Sequence, residues 1–390
     1  MRYGSRMRVL RWVLAGAFIV SLIHLSQDSN EEKYKKESSG YSFAGRTIVE
    51  AVPSPSNAAA GFESERAMSG HDDWEPAVAA DLLSHYVYQF TTRFTGKPPC
   101  AGCPLPALVF RRSGSSGAAW SYERFLHPAQ IEQWDPQIAV AAGGAVYACW
   151  LEGSVAQIQF MRSTNHGSSW TPPVPILHQG VAPRWGDKPT LAVSPDGRYV
   201  YIAFSSSDSY VAASQDFGHT FSHPVKTNSD QRYWFHSGSA VAADGTAYFA
   251  AADYSQNFTG DVHVDVLRST DHGLTWTTKR LDTSRELPPC QARGCYQGFY
   301  GPAPSISIDA AGKIMMVYNA GVVAGGPEKL WFKTSLNGQA WSQRIQLSSN
   351  DSNIDNQFPV VAHGPAAGDF RVAWQHDRSG DPDDWNTVFR

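Results

Sequence analysis

The chain has 390 residues, with 32 Lys and Arg against 36 Asp and Glu, a formal net charge of −4. Hydrophobic residues make up 42%, aromatics 12% and charged residues only 17%, the last well below the roughly 25% usual in soluble domains. Such a composition excludes a coiled coil and wholesale disorder, and it offers no basic field for nucleic-acid phosphates.

Arg2, Arg6, Arg8 and Arg11 open the chain without an acid among them, and the uncharged run Trp12–Leu25 follows. Fourteen residues suit a signal-peptide core better than a full span, which needs about 20. No small-x-small cleavage site follows, so residues 1–25 read as a signal peptide or a short signal anchor, with membrane anchoring through 12–25 in the second case. Either way the remainder is exported: extracellular, periplasmic or displayed at the membrane. Residues 26–60 are polar and low in complexity, a flexible stem.

Five cysteines fit an oxidising compartment. Cys100 and Cys103 lie in PPCAGCPLP, and Cys290 and Cys295 in PPCQARGCYQG. Short-range disulfides in both loops are expected ahead of a four-thiolate metal site. Cys149, in AVYACWL, reads as a buried strand residue.

From residue 61 onward a repeat governs the chain. A serine, a small polar or acidic residue two places on, a glycine and an aromatic recur five times. The copies are Ser113…Gly117…Trp120, Ser163-Thr-Asn165…Gly167…Trp170, Ser214-Gln-Asp216…Gly218…Phe221, Ser269-Thr-Asp271…Gly273…Trp276 and the shorter Ser335-Leu-Asn337-Gly338…Trp341. Their serines are 50, 51, 55 and 66 residues apart. Periods near 50 signal stacked units or propellers.

Six short apolar strands accompany the boxes: 75–81, 135–141, 188–194, 238–244, 303–309 and 358–364. Each is followed by a turn and a second strand (86–90, 145–151, 199–204, 247–252, 313–318, 370–374). A third strand leads into the box, as at 158–162, 264–268 and 330–334, and a fourth follows it, as at 279–282 and 344–347. This pattern predicts an all-β fold, a six-bladed β-propeller of four-stranded antiparallel blades over 61–390. The box itself reads as mechanical. Its Ser and Asp/Asn oxygens accept turn amides, its Gly supplies a backbone shape other residues resist, and its aromatic fills the wedge between blades. A calcium loop at Asp216 or Asp271 would lack oxygens. No metal or cofactor is expected.

The five copies resemble the Asp-box, or bacterial neuraminidase repeat, of the sialidase superfamily, and the resemblance covers 75–390, about four-fifths of the chain. It implies a propeller with the boxes on one face and a site on the other. The sixth unit shows three strands, 358–363, 370–374 and about 386–390, so the expectation is either a C-terminally truncated fragment or closure by an N-terminal strand, for which Arg46–Val52 (RTIVEAV) is the candidate.

Residues just before the first strands therefore form the candidate site. They are Asp72, Asp73, Trp74 and Glu75; Glu132, Trp134 and Asp135; Arg184, Trp185, Asp187 and Lys188; Arg232, Tyr233, Trp234 and His236; Arg293, Tyr296 and Tyr300; Asp355, Asn356 and Gln357. Such a ring of arginines, carboxylates and aromatics suits a polar ligand or an anion. The resemblance implies a carbohydrate substrate: three arginines on the carboxylate of a terminal acidic sugar, a Tyr nucleophile helped by a Glu, and an Asp acid/base. On that reading Arg184, Arg232 and Arg293 grip the sugar beside Trp134, Trp185 and Trp234, Tyr300 is the nucleophile, Glu132 its partner and Asp73 the acid/base. The family's Arg-Ile-Pro segment is missing, which supports the alternative of a non-catalytic propeller binding glycan or protein at the cell surface.

Overall fold

The computed structural model describes residues 68–153, 157–177, 182–286, 301–377 and 385–390. The segments expected as signal or anchor (1–25), stem (26–60) and closing strand (46–52) lie outside the described residues, as do Cys290, Arg293, Cys295, Tyr296 and Tyr300.

His71–Arg390 forms one compact unit. Each of its six sheets is built from consecutive antiparallel strands. Blade 1 runs Asp73–Ala80, Val87–Arg93, Ala107–Ser113 and Arg124–Phe125. Blade 2 runs Gln133–Ala141, Ala145–Glu152, Gln157–Ser163 and Val174–Pro175. Blade 3 runs Asp187–Val193, Val200–Ser206, Asp208–Ser214 and Val225–Lys226. Blade 4 runs Tyr233–Val241, Ala247–Tyr254, Val262–Ser269 and Thr277–Ser284. Blade 5 runs Ser305–Ile308, Ile314–Ala320, Lys329–Ser335 and Ile345–Gln346. Blade 6 has three described strands, Asn356–His363, Phe370–Asp377 and Trp385–Phe389. This is the six-bladed β-propeller that the sequence predicts.

The cores lie between blades, because each sheet has apolar side chains on both faces. Tyr88, Phe90, Phe110, Val146 and Trp150 join blades 1 and 2. Phe160, Ile202 and Phe204 belong to the cluster between blades 2 and 3, and Tyr201, Phe249 and Leu267 to the next. Tyr248, Ile306 and Tyr318 join blades 4 and 5, and Val317, Val361 and Trp374 join blades 5 and 6. The inner strands of blades 6 and 1 instead leave Val360 59% and Val78 63% exposed.

The boxes clamp these seams. Ser214 Oγ accepts the amides of Asp216 (3.3 Å) and Gly218 (2.9 Å), while Asp216 Oδ1 accepts the Thr220 amide (2.9 Å). Ser113, Ser163, Ser269 and Ser335 each accept the amide of their own box glycine at 2.9 Å. Asn165 and Asp271 accept the amides of Ser169 and Thr275, each at 2.9 Å, and Asn337 that of Ala340 at 2.9 Å. All five glycines have positive φ, between 69° and 90°. A Cβ on Gly218 would sit 2.5 Å from the Phe160 ring of blade 2, and one on Gly338 would sit 2.3 Å from Tyr248 of blade 4. The box aromatics meet the same neighbours: Trp170 lies 5.4 Å from Phe110, and Phe221 lies 4.9 Å from Phe160. Cys100 and Cys103 form a disulfide, with Cα atoms 5.1 Å apart, and Cys149 is buried.

Candidate functional site

Strand register fixes which residues share a face. Asp73, at the start of the first strand, pairs with Arg93 at the end of the second, and Arg93 with Ala107 at the start of the third. The box serine ends the third strand at the other pole. The approach to each first strand and the loop between second and third strands thus share the face opposite the boxes, here called the hub face.

At its centre the first strands of blades 1, 2 and 3 carry one repeated irregularity. Glu75, Asp135 and Lys188 have φ of 54°, 52° and 47°, and each precedes a proline. The register slips between Trp74 and Ala77 and again between Trp134 and Gln137. Phe358, before Pro359, repeats the shape in blade 6 with φ 50°. Left-handed backbone at a non-glycine residue costs of order 1–3 kcal/mol and is held only where surroundings over-determine it. Here it turns three charged side chains toward one another. Lys188 Nζ donates to Asp135 Oδ1 (2.7 Å) and Glu75 Oε1 (3.3 Å). Glu75 Oε2 also accepts the Asp135 amide (3.0 Å) and the Thr92 hydroxyl (3.1 Å).

The three groups divide their protons unequally. Burial pushes the Glu75 carboxyl up, but the Lys188 charge and the bonds from Asp135 outweigh it and bring it to about 2. Burial and the adjacent Glu75 charge drive Asp135 well above the usual carboxylate range. Burial disfavours the Lys188 ammonium, and the charges of Asp135 and Glu75 more than compensate. Within the cluster Glu75 is thus the stronger acid and Asp135 the weaker, with Asp187 also raised by burial and the Glu75 charge. Side-chain exposure is 43% for Lys188, 30% for Glu75 and 7% for Asp135, so the cluster opens to solvent and its ion pairing is screened.

This arrangement presents donors and acceptors side by side, as hydroxyl-rich ligands require. It is not the carboxyl couple of an ordinary glycosidase. Those groups stand about 5 Å or more apart to admit the sugar carbon or a water, whereas Glu75 and Asp135 hydrogen-bond to each other.

The residues singled out in the sequence fall into three sets. Asp73 is clamped by Arg93, whose Nε and a terminal nitrogen donate to its two oxygens at 2.7 and 2.8 Å. Arg93 and Arg111, both buried, also pair with Glu123, which holds the Glu123 carboxyl below its usual range. Arg232 is likewise engaged: its Nε pairs with the buried Asp253, and a terminal nitrogen donates to the carbonyls of Asp253 (3.1 Å) and Asp261 (2.9 Å). Trp234 is buried, with its indole N–H on Asp230 (2.9 Å).

A second set faces outward. Arg184 is exposed, Glu132 and Trp134 are half-buried, and Trp185 packs partly against Tyr233 and Tyr254. Trp74 is 47% exposed beside the hub cluster. The third set, Arg293 and Tyr300, lies outside the described residues. Sequence reasoning named Glu75, Asp135 and Lys188 as positions but did not join them. The shared aromatic-or-acid, charged residue, proline order (WEP, WDP, DKP) was the available signal. It missed Arg93, Asp253 and Glu328. Glu328 is fully buried, bonded to Asn319 (2.7 Å) and Gln357 (2.8 Å), and burial and the nearby Asp355 charge push it up to about 8.

No protein-family model matches the sequence, and neither does any curated protein. Solved structures do. A protein of unknown function from Dyadobacter fermentans superposes with TM-score 0.54 at 12% identity, over 82% of this chain and 94% of that one. The NanB sialidase of Streptococcus pneumoniae gives 0.55 at 9% identity, over 88% of this chain and 69% of that one. The intramolecular trans-sialidase of Ruminococcus gnavus, solved with oseltamivir carboxylate, gives 0.51 at 10% identity, over 80% and 91%. The chain is thus a sialidase-like propeller in fold.

Proposed function

We propose that the hub face is a carbohydrate site and that the protein is an exported, sialidase-like glycoside hydrolase acting on terminal acidic sugars. The observation that carries this reading is the convergence of Glu75, Asp135 and Lys188 from three blades at one solvent-open point, beside exposed Trp74 and on the same face as exposed Arg184. A strained backbone holding charged groups together marks a place kept for a purpose other than stability. A lysine donates to sugar oxygens, carboxyl groups accept from hydroxyls, and an indole face stacks on a pyranose. Tyr300 as nucleophile, Arg293 as the remaining carboxylate fork and Glu132 as the assisting acid belong to the same proposal. The test is release of fluorophore from a fluorogenic sialoside between about pH 4 and pH 8. Turnover that disappears in Tyr300→Phe and weakens in Arg184→Met is expected. No turnover by the full chain at any pH overturns the hydrolytic reading.

One observation favours a second reading, a non-catalytic glycan-binding propeller. Asp73 and Arg232, the proposed acid/base and one of the three forks, are both spent on internal partners, Arg93 and Asp253. Retention on a glycan array without hydrolysis, lost in Lys188→Met, would select this alternative.

A further inference from the structure

Away from the hub cluster, a cleft of about 500 Å³ opens between blades 3 and 4. Residues 226–230 form one wall, and Trp234, Asp265, Thr278 and Arg280 of blade 4 form the other. Asp265 is 2% exposed, and its Oδ2 has no hydrogen-bond partner. The reason lies next door. Asp253, fully buried, takes Arg232 Nε, His263 Nδ1 (2.7 Å) and a terminal nitrogen of Arg280 (3.2 Å). Arg280 Nε stays 3.8 Å from Asp265 Oδ1. The nearby Lys226 is held by Asp208 at 2.7 Å. A second carboxylate, Asp230, is fixed on the cleft wall by the Trp234 indole (2.9 Å) and Asn228 Nδ2 (2.8 Å).

The cleft is therefore one cation short. A buried carboxyl whose cation, Arg280, stands 3.8 Å away takes up either a proton or a closer positive charge. Burial and the Asp253 charge push Asp265 up to about 8, toward the proton. We propose that this cleft binds a primary ammonium group, carried by an amino sugar or a lysyl side chain, seated between Asp265 and Asp230 beside the Trp234 indole. The ammonium supplies the donors that Asp265 Oδ2 lacks and displaces its proton to solvent. The buried Trp234 indole backs the seat and holds Asp230 in place through its N–H (2.9 Å). The cleft's groups are separate from Glu75, Asp135 and Lys188, and binding here requires no hydrolysis at that cluster.

Calorimetric titration of the full chain tests it with two amines, Nα-acetyl-lysine methylamide and glucosamine, against N-acetylglucosamine as the uncharged control. At least one amine binds and the control does not; the tighter amine identifies the source. A lysyl ammonium keeps its charge across this range. Its affinity should therefore be about twentyfold weaker near pH 6.5 than near pH 8.5, because a proton must first leave a carboxyl with pKa about 8. Asp265→Asn removes at least tenfold of the affinity and flattens the pH profile, with melting temperature reporting that the variant is folded. Asp230→Asn, at a half-buried position, is a milder second probe with a threefold loss or more. The proposal fails if N-acetylglucosamine binds as well as glucosamine, if neither amine binds at millimolar concentration, or if Asp265→Asn binds as tightly as the wild type.

Discussion

The two faces of the propeller use charge in opposite ways. On the box face the Asp216 and Asp271 carboxylates are spent within their own turns, on the hydroxyls and amides of Thr220 and Thr275. Those bonds outweigh the burial that opposes them and hold both acids below their usual range. The same solution recurs blade after blade, so it is a mechanical device. On the hub face no two blades present the same set. Blade 1 offers Glu75, blade 2 Asp135, blade 3 Lys188, and blade 4, where the register slips between His236 and Gly238, offers Ser237, whose hydroxyl donates to the Pro304 carbonyl (2.8 Å). Carboxyl groups there lean on neighbouring strands and blades and are driven both ways, Glu75 down to about 2 and Glu328 up to about 8. Sameness around the ring encodes assembly, and the proposed recognition rests on the departures from it.

The contrast can be broken most forcefully at Arg93. Its side chain is 3% exposed and serves both Asp73 and Glu123. Arg93→Met leaves two carboxylates near a buried apolar chain, and removing one partner of such a network costs about 3 kcal/mol or more. A fall in the urea midpoint at constant slope is the readout. A loss below about 1 kcal/mol would class this as a surface pair of the weak kind.

A smaller effect sharpens the mechanical side. Gly218→Ala forces a Cβ into left-handed backbone and to 2.5 Å from Phe160, a core ring that is 1% exposed. Backbone strain and overpacking together should cost about 2–3 kcal/mol. Gly117 is its internal control: it has φ 90°, but a Cβ there meets nothing within 4 Å. Gly117→Ala should cost only the backbone part, about 1 kcal/mol. Equal losses in the two variants would show that the box glycine does not clamp one blade to the next.

The box side was legible in the sequence because its chemistry is local. Ser214, Asp216 and Gly218 bond to one another within a few residues, so spacing alone reveals the turn, and five copies reveal the ring. The strands were legible for the same reason, although the first strand of blade 4 begins at Tyr233, five residues before the apolar run at 238. The hub chemistry is non-local. Lys188 meets Glu75 across 113 residues and Asp135 across 53. Nothing in Lys188's own neighbourhood marks it, except the proline that follows. Arg232 looked available because its partner Asp253 is 21 residues away on another strand. Composition of a loop reports which charges exist; only the fold reports which are already neutralised.

The subtlest way to probe the contrast is the pH dependence of stability at Asp265. Its carboxyl titrates near 8 when folded and near the ordinary aspartate value of about 3.9 when unfolded. Between those values the folded chain holds a proton that the unfolded chain has released, so stability falls as pH rises through this window and levels off above it. Box acids behave with the reverse sign: Asp216, held at about 2, contributes stability that is complete above about pH 4 and lost on acidification. Asp265→Asn removes only the first slope. Its melting temperature, measured against wild type from about pH 4 to pH 8.5, should gain steadily on the wild type up to pH 8 and then run parallel. Groups remote from Asp265, Asp135 and Glu328 included, are common to the two proteins and cancel, while the coupled Asp253 titrates below this window. A difference that stays flat with pH would mean that Asp265 is ionised in the folded chain, with Arg280 as its full partner rather than Asp253's.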